Sequence, residues 1–283
     1  MNPDANPTIP SPDTSREAER PLEIEIIGPD DRDGVKAWYE FDIQKGFNPP
    51  EHQDEQGLEE RVDYWQQQLR DGNIGIALGM NGDRVVATTS TVLRNGTLGR
   101  TLKENEAWAV GTVVDPDLRS HGIGEQMAKE QHRIARNAGK EYMRAAINPD
   151  NASSMRLRMN KVGYVLEGVG GQPDTRIKDN DPKNRMYYYR KDLRPENEQS
   201  GEQGIDWVAE VASGKVVVAS EPIDEKTPER ILVDPGNRSL VKEAVDQGYR
   251  GVFLIRPEDT LDEQLLEQNY IIFVREAAGT NEQ

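Results

Sequence analysis

Apolar and polar positions along this chain switch between a period of two and a period of three to four, and the switches mark out its elements. Residues 22–27 alternate like a strand. Residues 31–43 predict a helix with Val35, Trp38 and Tyr39 on one face, and Leu58, Val62, Trp65 and Leu69 set a 4-3-4 stripe on a second helix. Residues 74–78 and 85–93, joined by Asn81-Gly82-Asp83, predict a β-hairpin. After a loop containing Asn95-Gly96, the β-branched run through Val114 predicts a buried strand, which Asp115-Pro116 ends. Ile123, Met127, Ile134 and Ala138 then form a helical stripe that Gly139 stops. A strand over 141–147, a helix opened by Asn151, a strand at Tyr164, a polar loop over 168–184 and a strand over 186–189 complete this half.

The flanks and the second half read differently. Residues 1–20 are Pro-, Asp- and Ser-rich and read as a disordered arm, 193–204 as a linker and 278–283 as a tail. Residues 205–277 predict a small α/β domain. Its expected parts are a hairpin of 207–212 with 216–219, a strand over 231–233, and a helix capped by Asn237 that ends before Gly248. A strand over 252–255, a helix opened by the capping box Thr260-x-x-Glu263 and a strand over 270–274 follow. Val233-Asp-Pro-Gly-Asn-Arg238-Ser echoes Val114-Asp-Pro-Asp-Leu-Arg119-Ser, and Gly214-Lys-Val-Val-Val-Ala echoes Gly82-Asp-Arg-Val-Val-Ala. Either this is a truncated, degenerate copy of the first half or it is an unrelated α/β appendage.

Composition narrows the chemistry. The 283 residues carry 35 basic and 51 acidic side chains, a net charge of −16. That charge repels phosphate backbones, so no nucleic-acid partner is expected. It suits a cationic acceptor such as an amine, and equally a surface kept soluble by acid groups. With no cysteine there is no disulfide, thiolate nucleophile or zinc thiolate site. The histidines are His52, His121 and His132, too few for a His-rich metal site, and no metal is expected. Without an apolar leader or an 18-residue apolar run, the chain reads as a cytoplasmic protein with no membrane contact.

The strand ending at Val114 feeds a turn that opens the next helix near Ile123, and such a turn suits an anion. N–H groups in the first helical turn have no partner within the helix, and the helix dipole adds positive potential. Arg119 supplies a fixed charge, although a capping turn with no ligand has the same outline. The absence of Gly-Lys-[Ser/Thr] after the turn excludes a P-loop. Val114-Asp115-Pro116 followed by Arg119-x-x-Gly122-x-Gly124 resembles the acetyl-CoA-binding motif of the GNAT superfamily of N-acetyltransferases, V-x-P and then [QR]-x-x-G-x-[GA]. Downstream, Asn151, Ser154, Leu157, Gly163 and Tyr164 are similar to the family's N-x-x-[AS]-x-x-L-Y-x-K-x-G-F, with one extra residue before the glycine. Arg158 or Met159 stands where many relatives carry the tyrosine that protonates the departing CoA sulfur.

The resemblance implies an α/β fold with a mixed sheet over residues 21–192 and acetyl-CoA as acyl donor. Arg119, Ser120, His121, Gly122, Ile123 and Gly124 would face its diphosphate. The pantetheine arm would lie along Thr112, Val113 and Val114, where that strand splays from the next. Asn151 and Ser154 join the cofactor-side set. The implied activity is acetyl transfer to a primary amine of a small molecule or peptide, by direct attack in a ternary complex. Residues 45–56 would flank the acceptor. Glu106, on or just before the key strand, is either the general base or a solvated rim carboxylate. The competing reading is an acyl-CoA-binding sensor or scaffolding module without chemistry. A homodimer is a further expectation.

Overall fold

The computed structural model describes residues 22–45, 55–171, 185–195, 204–219, 222–259 and 267–275. The first half runs β1 (Glu23–Ile26), α1 (Arg32–Gln44), α2 (Glu55–Arg70), β2 (Ile74–Asn81), β3 (Arg84–Val92) and β4 (Glu106–Val114). It continues with α3 (Ile123–Asn137), β5 (Tyr142–Ile147), α4 (Ala152–Arg156), a π-helical turn (Leu157–Lys161), β6 (Val165–Gly171) and β7 (Arg185–Asp192). This is the order of elements expected from the periodicity. The second half adds α5 (Trp207–Ala212), β8 (Val217–Val218), β9 (Arg230–Val233), α6 (Arg238–Asp246), β10 (Tyr249–Ile255) and β11 (Tyr270–Arg275).

The eleven strands among the described residues belong to one mixed sheet, in the order β1-β2-β3-β4-β5-β7-β6-β10-β11-β9-β8. Parallel pairing occurs at β4–β5 and β8–β9, and the other pairs are antiparallel. Alternation along the strands supplies both faces with apolar side chains. On one face Met127, Ala128 and Ile134 of α3, Met155 of α4 and Leu240 and Val241 of α6 pack over Ala107, Met143, Tyr187 and Phe273. On the other, Val35 and Trp38 of α1 and Val62 of α2 cover Ile76, Val92 and Trp108, while Trp207 and Val211 of α5 cover Leu232 and Ile272.

Four expectations change. Residues 207–212 are a helix and not half of a hairpin. Asp206 accepts the N–H of Ala209 as N-cap, and Trp207 and Val211, one turn apart, are buried together. Leu193, placed in the linker from sequence, is a core residue, and α3 ends at Asn137, leaving Ala138 exposed. The echo between the halves does not carry into pairing either: β3 runs antiparallel to β4, whereas β8 runs parallel to β9. A different repeat is present. β9, α6, β10 and β11, with β11 lying between β9 and β10, have the topology of β5, α4, β6 and β7, with β7 lying between β5 and β6. The expected arm, the tail and the helix at Thr260 lie outside the described residues, as do residues 196–203 of the linker.

The two halves meet at β6 and β10. Their ladder holds one residue pair, Gly251 opposite Leu166. A Cβ at Gly251 would stand 2.9 Å from Ile271 Cγ2 and 3.0 Å from Leu166 Cβ, so the approach requires glycine. Asn160 in the π-helical turn extends the ladder with its side chain. Its Nδ2 donates to the Leu254 carbonyl at 2.8 Å, and its Oδ1 accepts the Leu254 N–H at 2.9 Å.

Candidate functional site

Strand β4 pairs with β5 only at Glu106, Ala107 and Trp108, opposite Tyr142, Met143 and Arg144. Both strands continue, β4 to Val114 and β5 to Ile147, yet the ladder between them stops. A β-bulge lies just beyond the last pair: Ser90 faces Val110 and Thr89 faces Thr112, leaving Gly111 as the extra residue. Bulges bend a strand and increase its twist, which carries the end of β4 away from β5. Thr112, Val113 and Val114, where the splay is expected, have no ladder partner in β5.

The turn after β4 is held from behind. Asp115 is buried, accepts the Asp117 N–H at 3.2 Å, and meets Lys45 Nζ at 3.2 Å and Arg84 Nη2 at 2.6 Å. Burial pushes this carboxyl's pKa up, but the Asp117 N–H and the charges of Lys45 and Arg84 outweigh it and hold it below the ordinary value. Ser120 has φ 70° and Gly122, the N-cap of α3, has φ 78°. Gly122 offers no side-chain cap, and the N–H groups of residues 120–124 take no part in the turn's backbone hydrogen bonding. A left-handed serine is strained, and such strain gathers where backbone groups are aimed at a ligand.

Around this turn, Arg119 is exposed and its Nε reaches the Val114 carbonyl at 3.4 Å. His121 folds back, with Nδ1 2.8 Å from the Arg119 carbonyl. Gly124 faces the end of β4 and the π-helical turn: a Cβ there would lie 3.6 Å from Leu157 and 3.9 Å from Val114. Ile123 is core. Asn151 is exposed and uses its Oδ1 to cap α4, through the N–H of Ser154 at 3.0 Å. Residues 112–114 and 119–124 therefore converge at one end of β4. Glu106 lies at the other end, buried, accepting the Lys103 N–H at 3.1 Å and standing 3.5 Å from Arg144.

Several polar side chains that sequence reasoning passed over sit beneath this end of the sheet. Gln131 is buried and donates to the carbonyls of Ser90 (2.7 Å) and Val110 (3.2 Å) across the bulge. Arg158, also buried, donates to Gln131 Oε1 at 2.8 Å, Thr112 Oγ1 at 3.3 Å and the Tyr164 hydroxyl at 3.4 Å. His132 Nε2 lies 3.2 Å from the same hydroxyl. Burial first, then the charge of Arg158, depresses His132 to about 3, so its imidazole is neutral. Burial raises Tyr164 to about 12, against the pull of Arg158. On the opposite face Asp42 of α1 is buried against Thr88, whose hydroxyl donates to it at 2.5 Å, and burial raises its pKa to about 7. A signal existed for two of these. Asp42 falls one turn beyond Trp38 and Tyr39 on the buried stripe of α1, and Gln131 falls between Met127 and Ile134 on that of α3.

Among the described residues no cluster of His, Asp and Glu could hold a metal ion, and no helix is long and apolar enough to cross a membrane. No curated protein matches the sequence. Solved structures similar to the chain include yncA from Salmonella typhimurium with its cofactor acetyl-CoA, at 14% identity and TM-score 0.46, covering 65% of this chain and 99% of that one. An N-acetyltransferase from Staphylococcus aureus Mu50 is 16% identical at TM-score 0.46, covering 62% and 99%. A ribosomal-protein-alanine N-acetyltransferase from Brucella melitensis is 19% identical at TM-score 0.45, covering 60% and 99%. Residues 37–164, which hold the unpaired end of β4, the turn and the Arg158 cluster, match the model of the Acetyltransferase (GNAT) family.

Proposed function

We infer that the protein transfers an acetyl group from acetyl-CoA to a primary amine of a small molecule or peptide, by direct attack within a ternary complex. One observation carries the reading: a row of free N–H groups at the start of α3 adjoins the stretch of β4 that β5 leaves unpaired. The first suits a diphosphate, and the second offers ladder positions to an amide-bearing arm, as in strand addition. Arg119 adds a charge beside the turn. Holding amine and thioester together in this gap supplies most of the rate through proximity, with a backbone N–H polarising the carbonyl. Glu106 is the candidate base.

A second reading, acyl-CoA binding without turnover, draws on the engagement of Glu106 by the Lys103 N–H and its closeness to Arg144. One experiment separates the two. Calorimetry with acetyl-CoA should give one site per chain, and a panel of primary amines should release free thiol. Binding without thiol release across the panel supports the sensor reading. No binding at millimolar acetyl-CoA refutes both.

A further inference from the structure

Arg158 is 7% exposed, and no carboxylate among the described residues lies within ion-pair distance of it. Its acceptors are neutral: an amide oxygen, a threonine hydroxyl and a tyrosine hydroxyl, with the Tyr164 ring 5.2 Å from its Cζ. Hydrogen bonds of this kind orient a guanidinium without cancelling its charge, and a buried uncompensated cation is costly. The charge sits at the gap, because Thr112, one of its acceptors, is a residue of the unpaired edge. The π-helical turn turns Arg158 inward, and wide turns of this type recur at functional sites.

We propose that Arg158 is a catalytic residue, a fixed positive charge that stabilises the negative charge developing on the CoA sulfur as the thioester breaks. This rests on the acetyl-transfer reading and specifies how the leaving group departs. The amine nitrogen bonds to the carbonyl carbon, the carbon–sulfur bond breaks, and its electron pair leaves on sulfur. The proton of the attacking amine passes to water. A guanidinium does not give up its proton near neutral pH, so Arg158 holds the thiolate by charge and CoA leaves the reaction unprotonated. Among the described residues the titratable groups facing Arg158 are His132, which is neutral, and Tyr164. Lys191, Arg136 and Lys129 are the other cations whose charge reaches His132.

The test uses the full-length protein and CoA itself. The ultraviolet absorbance of the thiolate is followed against pH with CoA bound to wild type, Arg158→Lys and Arg158→Met. A free thiol titrates near 8.5. In wild type and Arg158→Lys the bound thiol should titrate at least about one pH unit lower, and in Arg158→Met at or above the free value. Turnover should fall about 10- to 100-fold in Arg158→Met, with KM for acetyl-CoA changed only a few-fold, and Arg158→Lys should recover part of the loss. If Arg158→Met does not fold, the wild-type titration against free CoA and the Arg158→Lys rate decide. Bound thiol titrating at the ordinary value in wild type, or unshifted by Arg158→Met, overturns the proposal while leaving acetyl transfer intact. Wild type that binds neither CoA nor acetyl-CoA removes the acetyl-transfer reading, and the proposal with it.

Discussion

Replacing Asp42 by asparagine should make the protein more stable at pH 8 and change little at pH 4. Asp42 is 3% exposed, and its carboxylate accepts a hydrogen bond from Thr88. Burial raises its pKa from 3.8 to about 7, opposed by Thr88. The native state therefore holds a proton between pH 3.8 and 7 that the unfolded chain has released, so stability falls as pH rises through that window. Roughly three pH units at about 1.4 kcal/mol each amount to about 4 kcal/mol. Asparagine keeps the shape and an oxygen for Thr88 but has no charge to bury. His132 contributes the opposite slope. Its pKa is depressed from 6.5 to about 3, so stability falls as pH drops through that range. The two slopes oppose each other in the wild type between pH 3.8 and 6.5, and the variant exposes that of His132 alone. Urea unfolding of both proteins at intervals from pH 4 to pH 8 reads the difference. It should widen in favour of the Asp42→Asn variant by several kcal/mol with rising pH. A difference constant to within about 1 kcal/mol across that range refutes the assignment of a strained, ionisable carboxyl at this position.

Other substitutions test the remaining claims. Arg119→Ala should weaken acetyl-CoA binding about tenfold or more by calorimetry, the value of one charge-assisted hydrogen bond, with unchanged melting temperature because the side chain is exposed. Glu106→Gln should lower kcat and leave acetyl-CoA affinity alone if Glu106 is the base; unchanged turnover removes it from the chemistry. Gly251→Ala should cost about 1–3 kcal/mol in chemical unfolding, since the added carbon meets Ile271 and Leu166. A neutral result there would mean that the junction yields more easily than its spacing indicates.

Much of this architecture was legible in the chain, for a physical reason. The first half keeps its periods cleanly, so residues 74–93 announce a hairpin and Ile123, Met127 and Ile134 a buried helix face. The turn was legible because glycine and arginine at fixed spacing do what other residues cannot. What stayed hidden depends on long-range pairing. The bulge at Gly111 exists only relative to β3, and the end of the β4–β5 ladder leaves no local trace. Helix α5 was misread because its six residues are too short to show a period against the following Val-Val-Val run. The extra residue near Arg158 was visible as a departure from the family's spacing. Its absorption into a wide turn, and the turn's attachment to Leu254, were not.

The sheet order β5-β7-β6 followed by β10-β11-β9 reads the same from either side of the β6–β10 boundary. Two β-α-β-β units face each other there as two subunits of a symmetric dimer would, but one chain supplies both. At this edge the protein is its own partner. β6 has a neighbour on each side, so a second copy has no place to add a strand beside the wall that carries Arg158. Among the described residues the sheet's outer strands are β1, four residues long with Glu23 and Glu25, and β8, two residues long. Short or charged edges of this kind resist pairing with other chains. The pairing across the β6–β10 boundary is built into the covalent chain, and dilution cannot take it apart.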